Sequence, residues 1–156
     1  MIHRRIYIKR YDWAVDIFYA VTCYWTDRIM ECLESIGCPD DILRSSYHNL
    51  MSCKLDTGLT YSNYNRRETV MVIGKTSSPG EFLNSFDHER KHLEAHIAQA
   101  YGIDPYGEEI AYLSGDVAQM LVKDVQLFIC DCNCCKNELT KKISYEFKSR
   151  NKIRSR

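Results

Sequence analysis

The chain has 156 residues, of which 45% are hydrophobic and 27% charged, and its formal charge is zero. That balance suits one globular domain with a real core and excludes a disordered chain. Neutrality makes the chain as a whole a poor electrostatic partner for nucleic acid or an anionic membrane.

Arg5 to Lys9 alternate polar and apolar side chains and predict a short strand. Residues 13 to 36 predict a long helix, because Val15, Ile17, Phe18, Val21, Trp25, Ile29, Leu33 and Ile36 recur at helical spacing. Gly37, followed by Cys38 and Pro39, is its stop signal. The stretch from Trp13 to Trp25 follows a basic start, but Asp16 interrupts it and no small-residue cleavage site follows. It is neither a secretion signal nor a membrane span, and a cytoplasmic, reducing setting with free thiols is expected. Cys23 and Cys32 are then small core residues. Pro39 to Cys53 predicts a second helix, with Ile42, Leu43, Leu50 and Met51 apolar. Asp56-Thr57-Gly58 and Asn63-Tyr64-Asn65 are turn signals, and Leu59 to Tyr61 can pair with the β-favouring run Thr69 to Ile73.

Ser78-Pro79-Gly80-Glu81 is a capping box with proline at the first helical position, so a helix should open there. Phe82, Phe86, Leu93 and Ile97 form its apolar stripe. His88, His92 and His96 fall along one edge of that stripe. Residues four apart on a helix stand one above the other, so His88 and His92 can grip one metal ion; zinc takes nitrogen ligands tetrahedrally. Glu89, just after the first histidine, is placed to hold a water bound to that ion. This is the mechanical content of His-Glu-x-x-His. His96 sits about 12 Å along the helix from His88, too far to share the ion, and is expected to pack instead.

The motif helix should end between Ala98 and Gly102. Asp104 and Pro105 then predict the cap and first residue of another helix, reaching about Phe128. A catalytic zinc needs a third protein ligand, and Glu108 and Glu109 are the candidates. For either to reach His92, the motif helix has to stop near Ala98 and residues 99–106 have to climb back beside it. Tyr112 and Tyr106 are candidates for steadying a tetrahedral oxyanion.

His88-Glu89-x-x-His92 followed by Glu108-x-x-Ala111-Tyr112-Leu113-x-Gly115 resembles the zincin metallopeptidases with a glutamate third ligand, the gluzincins. It is similar in particular to small zincin-like proteins of bacteria and their phages. The resemblance covers about residues 69–121. It implies a zincin-like α+β fold, helix-rich with a small, mainly antiparallel sheet and an active-site helix carrying His-Glu-x-x-His. It also implies zinc on His88, His92 and Glu108, with Glu89 as general base, and hydrolysis of a peptide or protein substrate. In such proteins an edge strand ahead of the motif helix receives the substrate, and Thr69 to Ile73 occupies that place in the chain. The pattern departs from the larger gluzincins at Tyr112, where an aspartate usually follows; Asp116 could supply that carboxylate.

The single domain is expected to span residues 1–128, with a cysteine-rich segment and basic tail over 129–156. Cys130, Cys132, Cys134 and Cys135 offer four thiols at a spacing unlike paired zinc knuckles. From Lys136 onward there are eight Lys or Arg against two acids. Ile143, Tyr145 and Phe147 alternate and suggest a last strand, with a solvated end from Ser149. A domain that binds zinc without catalysis is the competing reading of the same residues.

Overall fold

The computed structural model describes residues 1–52 and 58–154; the Asp56-Thr57 turn signal and Cys53 lie outside them. The fold is α+β, with strands β1 (Ile2–Ile8), β2 (Trp13–Val21), β3 (Gly58–Asn63) and β4 (Glu68–Gly74). Its helices are α1 (Thr26–Ser35), α2 (Asp40–Met51), α3 (Pro79–Tyr101), α4 (Glu108–Ile129) and α5 (Asn133–Arg154). No helix among the described residues is long and apolar enough to cross a membrane.

The sheet runs β1-β2-β4-β3, with β2 and β4 parallel at its centre and an antiparallel strand on each side. The two central strands alternate their side chains between two cores. Trp13, Val15, Ile17, Tyr19, Met71 and Ile73 face the side covered by α3 and α4. Phe18, Val21, Val70 and Val72 face the side covered by α1 and α2. A strand buried on both faces needs apolar residues at nearly every position. That explains why the segment from Trp13 is β2 and not the start of a helix running to Ile36. A continuous apolar run carries no periodicity that separates a buried strand from a buried helix. Only its second half, Thr26 to Ser35, is α-helical. Between Phe18 and Val21 the register against β4 shifts, and Ala20 takes a left-handed φ of 53°.

Two further boundaries differ from expectation. Asp104 spends its polar groups on a turn: its carboxylate accepts from the Tyr106 N–H at 2.9 Å and its carbonyl from the Gly107 N–H at 3.1 Å. The role of cap therefore passes to Gly107, and α4 opens at Glu108. The expected last strand is part of α5, rich in helix-favouring Lys and Glu. Leu139 and Ile143, four apart, pack against the α3/α4 side of the core, while Tyr145 is exposed. Cys23 is disulfide-bonded, which corrects the expectation of free thiols throughout; Cys32 and Cys38 are free.

The Tyr19 hydroxyl is buried with no hydrogen-bond partner among the described residues. Leaving a buried hydroxyl unpaired costs about 1–3 kcal/mol, so Tyr19→Phe should leave stability unchanged or raise it by about 1 kcal/mol. Chemical denaturation of the two proteins side by side measures this.

Candidate functional site

The capping box forms as its residues dictate. The Glu81 N–H donates to Ser78 Oγ at 3.2 Å, and Glu81 reaches back to the Ser77 N–H at 2.7 Å. These bonds from Ser77 hold the Glu81 carboxyl below its ordinary pKa. From this start α3 runs unbroken to Tyr101 and ends on Gly102 in the left-handed conformation, which glycine adopts without strain.

Within α3 the motif divides by direction. Glu89 points into the protein and is 3% exposed, whereas His88 and His92 are exposed. Thr60 Oγ1 on β3 donates to the Glu89 carboxylate at 2.8 Å, a charge-assisted bond that offsets part of the cost of burying it. Gly58 makes room for this arrangement. A Cβ there would lie 2.8 Å from Glu89 Cγ and 2.0 Å from the Val72 carbonyl oxygen. Two residues along β3, Ser62 Oγ contacts His96 Nδ1 at 2.9 Å and Thr69 Oγ1 at 2.7 Å. His96 is half-buried, with its ring edge against Tyr64. Burial first, and then the neighbouring His92, push its imidazole below the usual range. As its spacing suggested, His96 packs against the sheet.

His88 and His92 face each other with Nε2 atoms 3.2 Å apart. Two zinc–nitrogen bonds of about 2.05 Å meeting at the tetrahedral angle place their nitrogens about 3.3 Å apart. The two nitrogens, in hydrogen-bond contact as they stand, are separated by close to that distance.

Among the described residues, Glu108 does not converge with the two histidines. One demand of the expected geometry is not met: α3 does not stop near Ala98 but runs on to Tyr101. Arg90 Nη1 donates to Ser114 Oγ at 2.8 Å and to Glu94 at 2.7 Å, so α4 lies on the Arg90/Glu94 flank of α3. At about 100° per residue, His88 and His92 are about 200° round the helix from Arg90 and Glu94 respectively, on the other flank. On α4, Leu113, Val117 and Leu121 are buried, and Glu108 falls on the opposite side. Glu108 and Tyr112 are both exposed, as is Tyr106 at 96%. Glu109, the other candidate ligand, accepts from Arg10 and from the Tyr11 hydroxyl, each at 3.2 Å, and is tied to the turn between β1 and β2. The strand assignment also changes. Thr69 to Ile73 belongs to β4, an interior strand, and the free edge beside α3 is β3.

Among the described residues, one group of three or more metal-ligating side chains converges, and it is elsewhere: Cys130, Cys132 and Cys135, whose sulfurs lie within 4.8 Å of one another and could hold a metal ion. Cys132 Sγ accepts from the Cys135 N–H at 3.4 Å. That bond first, and then the Cys130 and Cys135 thiols, push Cys132 down to about 7, while the same shared proton pushes Cys135 up to about 12.

No protein-family model, curated protein or solved structure matches this chain. The site therefore rests on its own chemistry. What the motif did not reveal was the bed beneath Glu89. Its signal was present in β3, where Thr60 and Ser62 alternate with Leu59 and Tyr61, which pack against the other core.

Thr60→Val should strand the buried carboxylate and cost about 2 kcal/mol, and Gly58→Ala should cost about as much through overpacking. Urea unfolding midpoints of both variants provide the check.

Proposed function

We propose that this protein is a zinc-dependent hydrolase of peptide bonds, with the ion held by His88 and His92. The observation that carries the reading is the 3.2 Å separation of two exposed imidazole nitrogens one helical turn apart. A second feature supports it. Among the described residues β3 is an edge strand that pairs with β4 and contacts α3 through Thr60 and Ser62, so an extended peptide could add to it beside the histidine flank.

A bound zinc ion would supply a water of lowered pKa and polarise a carbonyl. The remaining work belongs to the chain. His88 and His92 hold the ion at the surface, where a peptide can reach it. Glu89, one residue on from the first ligand, would take the proton of the attacking water and return it to the leaving amine, for which its carboxylate has to swing from Thr60 toward the histidine flank. With Glu108 turned outward, the described residues bring two ligands and not three to this flank, so solvent would fill the other positions and mild chelation should strip the ion.

The outward Glu108 and the buried, bonded Glu89 favour a second reading, in which the same pair binds zinc in a domain that stabilises or engages a partner without catalysis. Activity separates the two. In a Cys132→Ser background, which removes one converging thiol, elemental analysis should find about one zinc per chain, and none once His92→Ala is added. A cleavage screen on unfolded proteins should then give activity that Glu89→Gln lowers about a hundredfold or more while retaining the metal. Zinc without cleavage selects the second reading; no zinc in the Cys132→Ser protein ends both.

A further inference from the structure

The junction between α4 and α5 is built from cysteines. Cys130 is the residue that ends α4, its N–H donating to the Gln126 carbonyl at 3.0 Å. Two residues later Cys132 begins α5 in the manner of an N-cap. Its carbonyl accepts from the Lys136 N–H at 3.1 Å and its sulfur from the Cys135 N–H at 3.4 Å. A side-chain acceptor for the third N–H of a helix is usually an oxygen. Here a sulfur does that work, and backbone N–H donation is also what stabilises a thiolate.

The fold brings three of the four clustered thiols together. Cys130, Cys132 and Cys135 have sulfurs within 4.8 Å of one another. Zinc–sulfur bonds of about 2.3 Å in a tetrahedral shell place sulfurs about 3.8 Å apart. The set therefore needs to close by no more than about 1 Å, a shift within reach of side-chain rotation at a surface. Cys134 is outside the group; at about 100° from Cys135 around α5, its exposed side chain points elsewhere. Sulfur ligands select soft ions over magnesium or calcium. The negative charge left on a three-thiolate zinc centre would lie beside Lys136, whose Nζ is 3.2 Å from Asp131.

We propose that Cys130, Cys132 and Cys135 form a thiolate site for a soft divalent ion, zinc, which staples the end of α4 to the start of α5. As each sulfur–zinc bond forms, the thiol proton leaves to solvent, and no oxidant or reductant is involved. The fourth position is left to water or another exchangeable ligand. Pinning this junction fixes the entry of α5, whose Leu139 and Ile143 pack on the same core as Phe128 and Val125 of α4. The site is independent of the histidine pair and of any hydrolytic activity.

Titration of the full chain, its Cys23 disulfide intact and its cluster thiols free, with cobalt(II), followed by zinc, tests this. Cobalt should give a near-ultraviolet sulfur-to-metal charge-transfer band that saturates at one thiolate-bound ion per chain and disappears as zinc displaces it. Cys132→Ser and Cys135→Ser should weaken binding beyond the roughly 10–100-fold that loss of an outer-shell partner costs. Cys134→Ser and His92→Ala should leave the band and its affinity unchanged, and far-ultraviolet circular dichroism should show every variant folded. The proposal is overturned if no charge-transfer band forms, if Cys132→Ser leaves it intact, or if Cys134→Ser weakens it as much as Cys132→Ser does.

Discussion

The contact between Glu89 and strand β3 sets the direction of everything on α3. A carboxylate buried to 3% exposure tolerates few rotations of its helix, because it needs a donor wherever it points. Thr60 supplies that donor at 2.8 Å, and the missing side chain at Gly58 lets the glutamate lie flat against the strand. Once Glu89 faces the sheet, helical geometry sends Arg90 and Glu94 to one flank and His88 and His92 to the other. The first flank becomes the seam with α4, through Ser114. The second is left open to solvent, with the two imidazoles in contact through Nε2 atoms 3.2 Å apart.

The same constraint explains why Glu108 does not converge with the two histidines. The seam between α3 and α4 is held by the Arg90–Glu94 pair, in which Glu94 is 2% exposed, and by Leu93 and Leu113, both fully buried. Rotating α4 to aim Glu108 at the histidines would expose Leu113, Val117 and Leu121. Each fully buried side chain of that size contributes about 1.5–3 kcal/mol, more than one carboxylate–zinc contact on a solvated surface readily offsets. Packing wins, and the exposed row Glu108, Ala111, Tyr112 and Gly115 remains a surface.

Local signals in the sequence were reliable where one face of an element meets water. The capping box, the span of α3, the hairpin of β3 with β4 and the order of histidines along the helix edge were all legible, since amphipathic periodicity and caps act at short range. The central strand β2 was not. Most of residues 13 to 21 are buried, on both faces of the sheet, so their pattern is nearly continuous, and one of the two neighbouring strands, with Thr69 to Val72, comes from far along the chain. Asp104 reads as a cap, and the alternation at Ile143 and Tyr145 as a strand, where the fold has a turn and the helix α5. A polar side chain can satisfy a turn or a cap, and only the fold decides which. The His88–His92 pair followed from spacing alone. The bed under Glu89 and the outward face of Glu108 depended on which strand and which helix flank α3.

The most direct measurement is an anomalous difference map collected at the zinc edge from crystals of the zinc-loaded chain. A peak about 2 Å from Nε2 of both His88 and His92, with Glu89 still against Thr60 and no Glu108 oxygen in the shell, is what this arrangement predicts. Zinc found at the cysteines while the gap between the two imidazoles stays empty would contradict it.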